Sequence, residues 1–205
     1  LFEFWWDGAN GEGPNGKKQV YDFHRFEREA VKMQPNAVIF SDIGPGCRWA
    51  GNEQGTVGET NWCTLDTVGF QRGAGGPPAE ALQHGNENGA VWIPAECDVS
   101  IRPGWFYHAA EDTKVKSPEV LWDLWLKSVG RNANLILNVP PDRTGRIHAR
   151  DSAVLAEFGR LRMAKMGHNV VQHTRVKRAV TEVTLTSVSE VRVIKLQENI
   201  KKGQF

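Results

Sequence analysis

What most limits the fold of this chain is a series of short apolar runs, each halted abruptly and separated from the next by a helical period. Residues 1–6, LFEFWW, are bulky and β-prone, and the run stops at Asp7-Gly8. Ala37 to Phe40 is unbroken and apolar, the texture of a strand covered on both faces. Ala90 to Ile93 reads as a third strand, and Asn134 to Val139 as a fourth, stopped by Pro140 and Pro141. Helical patterns lie between them. Lys17 to Met33 carries Val20, Phe23, Phe26 (or Glu27), Ala30 and Val31 near a 3.6-residue period and ends before Pro35. Ser117 and Pro118 open a helix with Val120, Leu121, Leu124, Trp125 and Ser128 on one face and Gly130 at its end. Asp151 is read as the cap of a last helix, with Val154, Phe158 and Leu161 inside. Strands alternating with helices make a parallel α/β arrangement. It is either a complete open sheet or half of an eight-stranded barrel, whose active site is built from the loops after the strands.

Two stretches depart from this rhythm. Ile43 to Gly89 is long and rich in Gly, Pro and Asn, which predicts a functional loop or lid. After about residue 167, TEVTLT and EVRVIKLQE alternate apolar and polar residues, as in β-sandwich material that is too short for a sandwich. The expected division is therefore a partial barrel over 1–167 and a truncated β-sandwich-like tail over 168–205.

Charge excludes several classes of function. Lys+Arg 25 against Asp+Glu 24 gives a net +1, which makes no case for nucleic acid or an anionic membrane. No apolar run approaches the roughly 20 residues of a membrane span. No glycine-rich phosphate loop follows a strand. Three cysteines without CxxC spacing disfavour a structural zinc site or a disulfide framework, and leave one disulfide open. Leu1 starts inside a strand without an initiator methionine or a basic leader, so the chain is expected to be processed or, preferably, a piece of a longer one.

The chemistry centres on two acids. Asp7 ends the first strand, and Glu53 lies in the glycine-broken loop GNEQG after the second. Carboxylates at the C-terminal ends of successive strands, in a chain with eight tryptophans, point to glycoside cleavage. The faces of tryptophan stack on the apolar faces of sugars. Without further context Asp7 reads first as the opening residue of an Asp-Gly turn, and Glu59, Glu96, Asp42 and Asp98 compete with Glu53.

Four segments carry a family resemblance: FWWDGANGEGPNGKKQVYD, QPNAVIFSDIGPGCRWAGNE, WIPAECDVSIRPGWFYH and KSVGRNANLILNVPPDRTGRIH. In this order, from residue 2 to about 165, they resemble glycoside hydrolase family 29, the α-L-fucosidases, and most closely the branch acting on α-1,3/1,4-linked fucose. The resemblance implies the C-terminal part of a TIM-like (β/α) barrel followed by a remnant of a β-sandwich. It also implies a retaining mechanism without cofactor or metal, and a fucosylated oligosaccharide or glycoconjugate as partner. The nucleophile falls on Asp7 and the general acid/base on Glu53, with Glu59 outside the motif's core. Arg48 would bond the fucose ring oxygens, orient a carboxylate, or form a plain salt bridge. Trp105 of RPGW would be the aromatic platform or a core residue. Trp49 and Trp62 read as core, Trp122 and Trp125 as helix packing, and His108 as a loop residue near the ligand. Family members carry a further histidine- and tryptophan-bearing half upstream. The implied location is extracellular, periplasmic or lysosomal.

Overall fold

The computed structural model describes residues 1–8, 14–72, 76–177 and 180–196. Among them, five parallel strands form one curled half-barrel sheet: β1 (Glu3–Trp5), β2 (Val38–Ser41), β3 (Cys47–Trp49), β6 (Ala95–Ser100) and β7 (Asn134–Asn138), hydrogen-bonded in that order. Between β3 and β6 the chain makes a small antiparallel pair, β4 (Thr64–Leu65) with β5 (Val91–Trp92), and the short helix α2 (Ala79–His84). Helix α1 (Phe23–Met33) connects β1 to β2, α3 (Pro118–Lys127) connects β6 to β7, and α4 (Ala149–Met166) follows β7. A hairpin, β8 (Val171–Lys177) with β9 (Val180–Leu185), follows α4.

Side-chain alternation sorts the sheet into two faces. Just after β1, Trp6 meets α1: it stacks on Phe26 and meets Phe23 edge-on. Outward residues of β6 build the main core, where Val99 and Ile101 pack with Leu121 and Leu124 of α3 and Val154 of α4. Ala95 and Cys97 pack with Ala50, Val57 and Ala133. The inward face is more polar: Glu3, Glu96 and Asp98 share it with Trp5 and Trp49.

The third strand differs from expectation. Val91 and Trp92 are 40% and 42% exposed and pair with β4, whereas the barrel strand is the next segment, AECDVS, buried throughout. The segment read as a continuous loop contains β3, α2 and β4, and β3 lies between β2 and β6. Helix α1 starts at Phe23, not Lys17, because the Asp22 side chain accepts from Arg25 N at 3.0 Å while Val20 stays 93% exposed. Ser117 and Pro118 do open α3, with Ser117 Oγ accepting from Val120 N. That helix ends at Ser128, and Asn132, at φ 66°, closes the following 3-10 turn before β7. The cap of α4 is His148; Asp151 lies inside the first turn, fully buried against Arg102. Of the EVRVIKLQE run, residues 190–196 form no strand, and the rest lies outside the described residues. The thiols Cys47, Cys63 and Cys97 are buried and form no disulfide among the described residues. No described helix is long and apolar enough to cross a membrane.

Candidate active site

Parallel strands put all their C-terminal ends on one edge of the sheet, so the residues just after them gather there. Asp7 follows β1, Glu53 follows β3, and Trp105 follows β6. Glu53 therefore hangs from β3, not β2, and Asp7 and Glu53 lie on strands separated by one. Both carboxylates are exposed, and both raise the Asp98 carboxyl electrostatically, after the larger effect of its own burial.

Beside them opens a cleft of about 360 Å³, lined by Phe2, Glu3, Trp5, Asp98, Trp105, Ile136 and Asn138. Two indoles and two apolar side chains set against a few polar atoms suit a ligand with one apolar face and a rim of hydroxyls. Trp105 is held from two sides. Its Nε1 donates to Glu53 Oε2 at 3.3 Å, and its carbonyl accepts from Asn138 Nδ2 at 2.9 Å. The loop beneath is anchored by Arg102, fully buried, which donates Nε to Asp151 Oδ2 and Nη1 to Asp112 Oδ1, each at 2.9 Å. The structure brings Glu53 and Trp105 into contact.

Arg48 does not join them. It is fully buried on the outward side of β3, where its guanidinium donates to the carbonyls of Leu82, Ile93 and Trp62 and to Asn61 Oδ1. With those donors committed to backbone and amide oxygens, it braces the β3–β6 connection and is neither a surface ion pair nor a sugar contact. Glu59 projects into solvent, 3.8 Å from Arg131. Trp49, read as core, donates Nε1 to Asp98 Oδ1 at 2.8 Å and so belongs to the cleft's supporting layer. Trp62 is 41% exposed, and Trp122 and Trp125 stack on each other along α3. His108 is exposed on the loop beyond Trp105.

Deeper on the inward face, Glu3, Cys47 and Glu96 each bring one ligand-type atom within 4.8 Å of the others, the grouping among the described residues that could hold a metal ion. Burial, then Glu3, push the Glu96 carboxyl up to about 8, although the Trp5 Nε1 donation at 3.1 Å opposes this. Burial, then the neighbouring acids, push the Cys47 thiol up as well. Both shifts favour the neutral forms. Glu96 and Asp98 stand in a strictly alternating segment, and that period-2 pattern was the available signal for a strand with an acidic inner face.

Comparison with known proteins fits this geometry. A family profile described as alpha-L-fucosidase matches residues 18–166, a span that holds Glu53, Asp98 and Trp105 and begins after Asp7. The chain is 43% identical over 171 residues to Alpha-L-fucosidase 1 of Arabidopsis thaliana, covering 83% of this chain and 32% of that protein. It superposes on a glycoside hydrolase 29 family member from an unknown rumen bacterium with a TM-score of 0.78 and 37% identity, covering 89% of this chain and 34% of that one. A Ruminococcus gnavus glycoside hydrolase 29 fucosidase in complex with fucose aligns with a TM-score of 0.68 and 27% identity, covering 84% of this chain and 35% of that one. The chain spans about a third of the length of the relatives it matches.

Proposed function

The chain belongs to the α-L-fucosidase family, and on that premise we propose that it carries the catalytic acids of a retaining α-L-fucosidase acting on terminal, α-1,3- or α-1,4-linked fucose. In this reading residues 1–167 are the C-terminal part of a (β/α) barrel, and the substrate is a fucosylated oligosaccharide or glycoconjugate met outside the cytoplasm. The observation that carries it is the placing of Asp7 and Glu53 just after β1 and β3 on one edge of the sheet, with Glu53 hydrogen-bonded to Trp105 of a cleft that Trp5 and Trp105 line.

Retention needs a carboxylate nucleophile and a second carboxyl that is acid first and base second, about 5–5.5 Å apart. Asp7 attacks the anomeric carbon, and Glu53 gives its proton to the leaving oxygen. A covalent fucosyl–Asp7 ester results. Glu53, now ionised, takes a proton from water, which attacks the anomeric carbon and frees Asp7. Trp105 serves twice: its face lies along the cleft, and its N–H orients the Glu53 carboxylate. The indole walls lower the local dielectric, which strengthens every charge interaction as the oxocarbenium-like transition state forms.

The test is hydrolysis of an aryl α-L-fucoside by the purified chain, with Asp7→Ala and Glu53→Gln alongside. Turnover by wild type, reduced about 10²–10⁴-fold in each variant, supports the assignment. Proton NMR should show the α-anomer of fucose released first, and α-1,3/1,4-linked trisaccharides should be cleaved in preference to α-1,2-linked ones. A folded wild type without turnover that still binds fucosylated glycan would make the chain a binding module, and equal rates in wild type and Asp7→Ala would remove Asp7 from the mechanism.

A further inference from the structure

Asp98 is a third acid of the cleft, and neither step above uses it. It sits on the inward face of β6, 4% exposed, yet it lines the cleft together with Trp5 and Trp105. The Trp49 indole N–H holds its Oδ1 at 2.8 Å. A carboxylate accepts about four hydrogen bonds, so this clamp fixes the side chain's direction while leaving acceptor capacity on Oδ2. Placing a carboxyl here is expensive. Burial raises its pKa, and the charges of Glu53 and Asp7 raise it further. Among the side chains lining the cleft, those of Phe2, Trp5, Trp105 and Ile136 offer no acceptor, which leaves Asp98, Glu3 and Asn138 to meet a ligand hydroxyl, and of these Asp98 is the one clamped by an indole N–H.

We propose that Asp98 is a sugar-binding residue: its Oδ2 accepts a hydrogen bond from a ring hydroxyl of the fucosyl unit seated against Trp5 and Trp105, with Trp49 as its positioning residue. The proposal rests on the fucosidase reading and deepens it, because it makes one hydroxyl a determinant of which sugar is accepted. A buried acceptor left without its hydroxyl is costly, so the site discriminates against sugars that lack or invert that group.

The experiment compares wild type with Asp98→Asn, which keeps an oxygen for the Trp49 N–H, on an aryl α-L-fucoside and its 2-, 3- and 4-deoxy analogues. The parent fucoside should lose about 10- to 100-fold in kcat/KM, largely through KM. For the one analogue that lacks the partner hydroxyl, the two proteins should agree within about threefold. An equal loss on all four substrates would overturn the proposal, as would a collapse of kcat with KM unchanged, which would make Asp98 a proton-transfer group. A measurement on wild type alone guards against a variant that does not fold. With aspartate carboxyl carbons labelled, the Asp98 signal should shift on adding L-fucose, and an unmoved signal in a sample that binds fucose overturns the assignment. A wild type that neither cleaves the fucoside nor binds L-fucose takes down the fucosidase reading itself, whereas failure of the deoxy comparison in an active enzyme takes down only Asp98.

Discussion

Replacing Glu96 with glutamine should change how the stability of this fold responds to pH. Glu96 lies on the inward face of β6, 3% exposed, with Glu3 of β1, Cys47 of β3 and Asp98 of its own strand around it and the Trp5 N–H on Oε1. Burial, then Glu3, move its carboxyl from 4.5 to about 8. The folded pKa is therefore above the unfolded one. Between those two values the native state holds a proton that the unfolded state has lost, so stability falls as pH rises through that window. At roughly 1.4 kcal/mol per pKa unit, the decline from pH 5 to pH 8 is about 3 kcal/mol. Glutamine keeps an acceptor for Trp5 and has no proton to lose. Urea melts of wild type and Glu96→Gln should nearly coincide at pH 5 and separate by about 3 kcal/mol at pH 8, with the variant more stable. Asp98, whose shift has the same sign, is common to both proteins, and only its interaction with Glu96 enters the difference. A gap between the two that stays constant from pH 5 to pH 8 would refute the assignment of the proton to Glu96.

Three further outcomes follow from the geometry. Asp151→Ala strips the fully buried Arg102 of one of its two carboxylates and should cost about 3–5 kcal/mol in urea unfolding, and a loss below about 1 kcal/mol would mean the pair is not buried as found. Gly85, at φ 63° and ψ −168°, occupies backbone space nearly closed to other residues, and a Cβ there would lie 2.2 Å from the Trp62 carbonyl. Gly85→Ala should lower stability by about 3 kcal/mol or more, against about 1 kcal/mol for Gly145→Ala, where φ is 78° and no atom lies within 4 Å of the new Cβ. Equal losses would show that the overlap at Gly85 is relieved. Trp105→Phe keeps an aromatic face and loses the N–H to Glu53, so kcat/KM on an aryl fucoside should drop about 3- to 10-fold, and Trp105→Ala should drop it about 100-fold.

The legible parts of this chain were those with local causes. Ser117-Pro118 opens a helix because a hydroxyl and a fixed φ suit its first turn, and the run read as Asn134 to Val139 holds the strand Asn134–Asn138, with two prolines just beyond it. Asp7 was visible as a carboxylate at a strand end, and Glu53 as one in a glycine-broken loop. The β6 strand was not, because a strand whose inner face carries Glu96, Asp98 and Ser100 looks like exposed chain, while the apolar Val91-Trp92 next to it looks like a barrel strand. Burial of those acids depends on Trp5 and Trp49, which come from other strands. Arg48 was misread for a similar reason: the atoms that claim it, on Leu82, Ile93, Asn61 and Trp62, lie 13 to 45 residues away.

Residue order alone was enough for the alternating parallel α/β class and for the residues that resemble a fucosidase's, since periodicity, caps and short motifs are properties of neighbours along the chain. Which acid stands beside which, which arginine is spent on the scaffold, and that Asp98 is buried with the Trp49 N–H on its carboxylate were settled by the curling of the sheet. Curling brings β1, β3 and β6 side chains onto one inward face, and electrostatic and hydrogen-bonding energies depend on those through-space distances and on burial, neither of which is encoded in spacing along the chain.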